Sequence, residues 1–168
     1  MKADRVRKVA DLANRRTRER FGRFLIEGPQ SVREAVMWMP GAVRDLYVQA
    51  VDGPDGPRIA GETLTSIVER SQEHRIYVHP ASEAVMRRIS PDCQGIAAVG
   101  DADAVRATAQ GTQLPEKPFV AAFWQVRDPG NAGTVIRAAD AAGCDAVVFV
   151  DDCVDMLNPK VIRATAGS

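Results

Sequence analysis

Residues 128–140 carry the clearest potential for chemistry in this sequence, and they read DPGNAGTVIRAAD. An apolar run precedes them and the turn contains proline and glycine, a pattern that predicts a strand, a tight turn and then the start of a helix. Free backbone N–H groups at a helix start bind anions or polar ligands, and open α/β sheets place their sites at the carboxyl ends of strands. Ordinary structural roles are open to the same residues, with Asn131 as a helix N-cap and Arg137 in an ion pair with Asp140.

Several familiar kinds of site are missing from the sequence. Neither the G-x-G-x-x-G dinucleotide fingerprint nor the G-x-x-x-x-G-K-[ST] phosphate loop occurs. The three cysteines lie far apart without C-x-x-C spacing and there are only two histidines, so we expect no metal site and reduced thiols. No apolar run approaches the ~18 residues of a membrane helix, and no apolar segment follows the basic N-terminus as in a secretory signal. We therefore expect a cytoplasmic protein without a membrane partner.

Charge is unevenly distributed along the 168 residues, which hold 22 Lys and Arg against 22 Asp and Glu. Residues 1–33 contain ten basic and four acidic residues, a net charge of +6, so the remainder carries −6. Eight of the ten are arginines, whose side chains bind phosphate in a bidentate manner. A local basic face is sufficient for nucleic-acid binding, so this segment is a candidate. A solvated helix that keeps the protein in solution is the alternative.

The pattern of apolar residues predicts two α/β units. In the first we expect helices at residues 4–14, 29–39, 63–71 and 82–89, and strands at residues 23–27, 43–48, 75–78 and 95–99. Residues 14–20 are a loop or a basic helix, and residues 52–57 are predicted to be a loop. Residues 101–118 lack apolar periodicity and are predicted to be a linker. A parallel β-α-β unit follows, with a buried strand at residues 119–124, a helix ending at residue 142, a strand at residues 146–150 and then one short helix.

These elements divide the chain into a first domain, residues 1–100, and an incomplete second domain, residues 119–168. A β-α-β unit of about 50 residues cannot cover both faces of its sheet. We therefore expect the sequence to be a fragment of a longer protein or to be completed by a partner. We also expect the first domain to fold alone and the second to be poorly folded.

Residues 128–143 resemble the first signature motif of the SpoU-type, or TrmH-like, RNA ribose 2′-O-methyltransferases of the SPOUT superfamily. Residues 158–168, NPKVIRATAGS, resemble the second motif, and the order and spacing of the two also fit. Residues 23–35 and 94–99 are similar to the start and the end of the substrate-binding domain that precedes the catalytic domain in many members. The resemblance implies an L30e-like α/β N-terminal domain followed by the first half of a SPOUT parallel-sheet domain, which is knotted in the full-length family.

The resemblance implies transfer of a methyl group from S-adenosylmethionine to a ribose 2′-hydroxyl of RNA, with 23S ribosomal RNA favoured over transfer RNA as substrate. Asn131 and Arg137 match the first-motif residues that line the catalytic site, with Arg137 the catalytic candidate. A guanidinium is a poor general base because its pKa exceeds ~12, so we expect Arg137 to clamp a phosphate and stabilise the developing alkoxide. Arg163 matches the arginine of the second motif and is a candidate RNA contact. Thr165 stands where serine is more usual in the family.

The resemblance also implies an RNA-binding surface on the first domain, made of arginines that contact phosphates. The candidates are Arg15, Arg16, Arg18 and Arg20. Phe21 and Phe24 lie between arginines and could stack on bases, but we expect Phe24 to lie in the core because it falls within a predicted strand.

The cofactor-binding residues of the family are expected beyond Ser168, together with its third motif, its knot and much of its homodimer interface. This chain by itself is therefore not expected to bind S-adenosylmethionine usefully or to methylate RNA. The alternative function is a non-catalytic L30e-like RNA-binding module. A different nucleotide-binding β-α-β enzyme is a third possibility, which would need a phosphate loop that the sequence lacks.

Overall fold

Two separate β-sheets organise the chain, and the computed structural model describes residues 3–54 and 56–168. The α-helices of this part of the chain are α1 (Ala3–Ala10), α2 (Arg15–Phe21), α3 (Pro29–Trp38), α4 (Glu62–Glu73), α5 (Glu83–Ile89), α6 (Ala102–Gly111), α7 (Pro129–Ala141) and α8 (Pro159–Thr165). The strands are β1 (Arg23–Glu27), β2 (Val43–Gly53), β3 (Gly56–Ile59), β4 (Tyr77–Ala81), β5 (Ile96–Asp101), β6 (Val120–Trp124) and β7 (Ala146–Val150).

The larger sheet is mixed, with strands in the order β1-β5-β2-β3 and with β4 pairing with β2. β5 runs antiparallel to both of its neighbours, whereas β4 runs parallel to β2, and α4 lies between β2 and β4 in sequence. The predicted α/β class is confirmed. The basic segment that the sequence left open as a loop or a helix is α2, which begins after Asn14, whose side chain accepts a hydrogen bond from the Arg16 N–H.

Helices cover both faces of this sheet because its strands alternate their side chains between the two faces. Leu46 and Val48 of β2 belong to a buried cluster that includes Ile67 of α4. Tyr47, between them, belongs to a second buried cluster that includes Met86 of α5. The sheet therefore has two cores, with α3 and α4 on one side and α1 and α5 on the other.

Residues 101–118, predicted to be a linker, are not irregular throughout, because α6 forms in their first part. The Asp101 carboxylate caps this helix by accepting hydrogen bonds from the N–H groups of Asp103 (3.0 Å) and Ala104 (3.2 Å). Alanine has a high helix propensity, so a capped, alanine-rich segment forms a helix without the apolar stripe on which the prediction relied. Hydrogen bonds from Arg44, with further ones from backbone N–H groups and Arg23, hold the pKa of Asp101 well below its usual range. Residues 112–119 have no regular structure.

The prediction of a loop over residues 52–57 is wrong, because β2 continues to Gly53 and β3 begins at Gly56. The two strands form an antiparallel hairpin in which Gly53 pairs with Gly56. Glycine, proline and aspartate favour a tight hairpin turn as much as an open loop, so composition alone did not distinguish the two. Asp55 lies outside the described residues.

The smaller sheet pairs β6 and β7 in parallel, from Val120 opposite Ala146 to Trp124 opposite Val150. α7 connects the two strands in sequence, which confirms the predicted β-α-β unit. The prediction that the first of these strands is buried is wrong, since Trp124 is 66% exposed. A sheet of two strands has too few neighbours to bury both of its faces.

α8 joins the smaller sheet to the first part of the chain. It packs against α7 on one side and against β1 and α3 on the other. Leu157 and Ile162 pack against the buried cluster of the larger sheet, and the Ser31 hydroxyl donates a hydrogen bond to the Ile162 carbonyl (3.4 Å). The second unit is thus held by the first domain.

Candidate functional site

The carboxyl ends of β6 and β7 lie side by side, and the loops that follow them are bonded to each other. Gln125 and Asp151, the first residues after the two strands, both have left-handed backbones, with φ of 50° and 67°. The Gln125 side-chain amide donates to the Asp151 carboxylate (2.6 Å), and the Val154 N–H donates to the Val126 carbonyl (2.9 Å). A left-handed conformation at residues other than glycine is strained and concentrates at functional sites. This edge is where open parallel sheets bind ligands.

α7 begins at this edge. The Asp128 carboxylate accepts a hydrogen bond from the Asn131 N–H (2.8 Å), and Pro129 occupies the first turn, where its missing N–H is not needed. Asp128 is therefore the N-cap, and Asn131 is not. The Asn131 amide is exposed and makes no side-chain hydrogen bond within the described part of the chain. It is consequently available to a ligand.

α7 and α8 pack so closely that the two motif segments touch. A Cβ atom on Gly133 would lie 2.3 Å from the Cβ atom of Ala164 and 2.5 Å from its carbonyl carbon, so only glycine fits there. The Arg137 guanidinium donates to the Ala164 carbonyl (2.7 Å). Arg137 is exposed, and a guanidinium has five N–H groups, so most of its donors remain free for a substrate. Its bond to Ala164 replaces the ion pair with Asp140 that the sequence left open.

Arg163 is half-buried, with 35% of its side chain exposed. Its guanidinium pairs with Glu27 at the end of β1 (2.6 Å) and with Asp92 (2.8 Å). Glu27 is buried and also accepts a hydrogen bond from the Ser90 hydroxyl (2.6 Å). A buried carboxylate requires a cationic partner and Arg163 supplies it, so this side chain has a structural role. The RNA contact at Arg163 stays a prediction.

Arg18 is almost fully buried, and its contacts argue against the predicted phosphate contact. Its side chain is only 4% exposed and pairs with Asp155 in the segment before α8 (2.5 Å). It also donates to the carbonyls of Leu12 (2.9 Å) and Ala13 (2.8 Å). With its N–H groups engaged inside the protein, Arg18 ties the N-terminal helices to the second unit.

The remaining candidate RNA contacts are exposed on α2. Arg15 forms a surface ion pair with Glu19 (2.8 Å), and the Arg20 guanidinium carbon lies 5.3 Å from the centre of the Phe21 ring. Arg16 and Arg20 are four residues apart and so lie on the same helix face. Phe24 is buried, as expected, whereas Phe21 is exposed. Arg15, Arg16 and Arg20 therefore remain predicted contacts.

Sequence reasoning missed Gln125, Asp151 and Glu27. A signal existed for the first two, since each is the first polar residue after an apolar run that ends a parallel strand. No local signal identified Glu27, because its partner Arg163 lies 136 residues away in the sequence.

Two family models match this chain. The MRM3-like substrate binding domain matches residues 3–98, more than half of the chain, and the SpoU rRNA Methylase family matches residues 118–168. The chain belongs to the family of the MRM3-like substrate binding domain, and its residues 118–168 are similar to the SpoU rRNA Methylase family. The resemblance seen in the two signature motifs is thereby confirmed.

Among SpoU relatives, the chain is 35% identical to the 23S rRNA (guanosine(2553)-2′-O)-methyltransferase RlmP of Bacillus subtilis, with 99% of the chain aligned to 59% of that protein. It is 30% identical to human mitochondrial rRNA methyltransferase 3, with 90% of the chain aligned to 34% of that protein. The fold is similar to the SpoU methyltransferase AviRb of Streptomyces viridochromogenes, solved in complex with the cofactor AdoMet (TM-score 0.73, 24% identity, 99% of this chain and 60% of that chain). The chain thus spans about 59% or less of the curated relatives with which it aligns here.

S-adenosylmethionine is the cofactor that the SpoU resemblance implies, and the residues around the smaller sheet do not enclose a group of that size. Phe119, Trp124 and Val148 are all exposed, whereas small-molecule sites bury about 70–90% of the ligand surface. The residues that the structure describes here therefore do not form a closed site for the cofactor.

The structure adds two findings on other kinds of site. In residues 3–54 and 56–168, no helix combines the length and apolar composition that a bilayer crossing requires. In the same residues, no group of three or more His, Cys, Asp or Glu side chains is arranged to hold a metal ion.

Proposed function

We propose that this chain contributes to an enzyme that transfers a methyl group from S-adenosylmethionine to a ribose 2′-hydroxyl of RNA. In this proposal residues 1–100 bind the RNA substrate, residues 101–118 connect the domains, and residues 119–168 are the N-terminal part of the methyltransferase domain. The observation that carries the proposal is the contact of α7 with α8, where Gly133 and Arg137 of the first motif segment meet Ala164 of the second.

Arg137 is the proposed catalytic residue. Its bond to the Ala164 carbonyl fixes one edge of the guanidinium and leaves the other N–H groups exposed. We assign these donors to an RNA phosphate and to the negative charge that develops on the 2′-oxygen as its proton leaves. A guanidinium stays protonated near neutral pH and therefore acts as a donor and not as the base. Asn131, exposed in the first turn of the same helix, is the second proposed site residue.

RNA is the proposed partner, and ribosomal RNA is favoured over transfer RNA because the SpoU relatives described above are named as rRNA methyltransferases. The exposed arginines of α2, Arg15, Arg16 and Arg20, support a phosphate-contacting surface on the first domain. A homodimer is proposed from the family resemblance. A cytoplasmic location is proposed because the three cysteines are unpaired.

The test is a methyl-transfer assay on the full reading frame of the source gene that encodes these residues. The protein is incubated with an unmodified ribosomal RNA transcript and methyl-labelled S-adenosylmethionine, and the labelled RNA is then treated with alkali. A 2′-O-methyl group blocks alkaline cleavage, so the label is expected in alkali-resistant dinucleotides. Label in alkali-sensitive mononucleotides would mean base methylation and would refute the proposal.

Variants of α7 assign the role of Arg137 in the same assay. Arg137→Ala is expected to lower kcat about 100-fold or more, the usual effect of removing a donor to developing charge. Arg137→Lys is not expected to restore activity, because an ammonium lacks the planar fork. Asp140→Ala, an exposed change on the same helix, is the control and is expected to stay within about twofold. If the wild-type protein binds RNA but transfers no methyl groups, the result would favour the non-catalytic binding module.

A further inference from the structure

A groove of about 1030 Å³ lies between α1 and the edge strand β4, on the face of the larger sheet opposite α3 and α4. Its volume reaches the upper end of the range for small-molecule sites, about 300–1,000 Å³. The proposed methyl-transfer chemistry does not use this groove, because α7 and α8 lie elsewhere. Its lining combines aromatic rings with cationic side chains.

The floor of the groove is a cluster of three rings on neighbouring strands. Tyr47 of β2 and His79 of β4 stand opposite each other in parallel register, with ring centres 4.7 Å apart and planes 21° apart. Tyr77, two residues before His79 on β4, makes a tilted contact with it, with ring centres 4.7 Å apart and planes 51° apart. A hydrogen bond between His79 Nε2 and the Asp45 carboxylate (2.7 Å) fixes the His79 ring. The cluster is thus held in place before any ligand arrives.

Tyr77 is the exposed ring of this cluster, at 66%. Tyr47 is buried in the core. A second aromatic residue of the groove, Phe21, is also exposed, at 53%. Two exposed rings in one groove offer flat apolar faces to a planar ligand, and nucleobases stack on such faces irrespective of their sequence.

Three cationic side chains line the groove. Arg5 and Lys8 lie on α1, and Arg23, which begins β1, is paired with Asp101 (2.6 Å). Two carboxylates face them, and both are engaged locally: Asp4 pairs with Lys8 (3.1 Å), and Asp45 holds His79. Phe21 is the last residue of α2, so the end of this helix, with its exposed arginines, lies at the rim of the groove. The groove is therefore continuous with the basic surface that the sequence predicted to contact phosphates.

We infer that this groove binds an unpaired nucleotide of the RNA substrate, with its base stacked on Tyr77 and its flanking phosphates at Arg5 and Lys8. The inference rests on the proposed RNA-binding function and adds the kind of RNA that is held. A base-paired helix keeps its base faces covered, so only a single-stranded loop, bulge or end can present one to Tyr77. An acidic peptide would meet the cations but would leave the exposed rings unused.

The test is RNA binding by this chain, measured by fluorescence anisotropy with a labelled ten-nucleotide single-stranded RNA. Tyr77→Ala is expected to weaken binding between about fivefold and a hundredfold, the range for one stacked base. Tyr77→Phe keeps the ring and is expected to stay within about twofold. Trp38→Ala removes a 74% exposed aromatic residue of α3, outside the groove, and is the matched control. The variants are compared after thermal melts show that they are folded.

Salt titration separates stacking from phosphate contacts. Tyr77→Ala is expected to leave the slope of log affinity against log salt unchanged, whereas Arg5→Ala is expected to reduce its magnitude by about one. A second measurement does not depend on substitutions: 4-thiouridine in the same RNA is cross-linked to the protein, which is then digested with trypsin. The cross-link is expected on the peptide of residues 76–87, which contains Tyr77 and His79.

Five outcomes overturn the inference. Wild-type affinity in Tyr77→Ala, or an equal loss in Trp38→Ala, would show that the groove does not hold a base. Equal binding of the duplex form of the RNA would remove the requirement for an unpaired nucleotide. Tighter binding of polyglutamate than of the single-stranded RNA by the wild type would assign the groove to an acidic protein. A wild-type chain that binds no RNA at low salt would refute the proposed RNA-binding function as well, which distinguishes that failure from the other four.

Discussion

Gly133→Ala is the substitution for which the structure gives the sharpest expectation. The new Cβ atom would lie 2.3 Å from the Cβ atom of Ala164 and 2.7 Å from its carbonyl oxygen. Carbon atoms pack at about 3.5–4.0 Å, so the two helices must separate by about 1.2 Å or more. Because one obstacle is the backbone of α8, no side-chain rotation relieves the contact.

The cost follows from this displacement. Overpacking in a tight contact destabilises a protein by about 1–3 kcal/mol. Replacing glycine by alanine inside a helix stabilises it by about 1 kcal/mol at most, because alanine has the higher helix propensity. The separation also stretches the hydrogen bond from Arg137 to the Ala164 carbonyl, now 2.7 Å, and a charged bond of this kind contributes about 1.5–3 kcal/mol. We expect a net loss of about 1–3 kcal/mol, which lowers Tm by about 2–4 °C for each kcal/mol in a chain of this size.

The assay is thermal unfolding by circular dichroism, with hydrogen exchange of the α8 amides as a local measure. Gly111→Ala is the matched control, since a Cβ atom there meets nothing within 4 Å and the residue also lies in a helix. It is expected to be neutral or slightly stabilising. A Tm for Gly133→Ala equal to that of the wild type, with unchanged exchange in α8, would refute the packing argument.

Three further predictions concern charged residues. Arg163→Ala leaves the buried Glu27 carboxylate without its cation. Because Arg163 is itself 35% exposed, we expect the free energy of unfolding in urea to fall by about 1–3 kcal/mol. Arg163→Lys should recover part of this loss. The pKa of Asp101 is depressed in the folded state, so the stability that its carboxylate contributes is present above the unfolded pKa of about 3.9 and is lost as pH falls below that value. Asp101→Asn should therefore destabilise the protein at pH 7 and lose less stability than the wild type between pH 4 and pH 2. Parallel curves of stability against pH for the two proteins would contradict this. Arg16→Ala should weaken RNA binding and reduce the slope of log affinity against log salt by about one. Arg18→Ala should instead lower Tm and leave this slope unchanged. The reverse pattern would reinstate Arg18 as a phosphate contact.

Much of the secondary structure was predictable because it depends on local periodicity. The strand at residues 23–27 and the strand at residues 146–150 coincide with β1 and β7, since short apolar runs bounded by turn residues have few other conformations. α6 was missed because a helix that buries almost nothing shows no apolar stripe, and its cap at Asp101 is a single residue. The β2–β3 hairpin was missed because the same residues serve loops and tight turns.

The candidate site was predictable only in part. The motif around Asn131 and Arg137 marked the strand end at which α7 begins, and the apolar runs before Gln125 and Asp151 could have marked the rest of the candidate site. The contact of Arg137 with Ala164 could not be derived from the sequence, because it joins two helices 27 residues apart. The groove at Tyr77 was equally hidden, since its rings come from separate strands that only the register aligns.

The sequence by itself determined the α/β class, the positions of most elements, the basic N-terminal segment and the motif that identifies the family. Only the tertiary structure decided which arginines of that segment face the solvent. Arg16 and Arg18 are two residues apart and chemically identical, yet Arg16 is exposed while Arg18 is buried against Asp155, 137 residues further along the chain. Periodicity specifies the direction of a side chain on its own helix, whereas the partner it meets depends on how distant elements pack against each other.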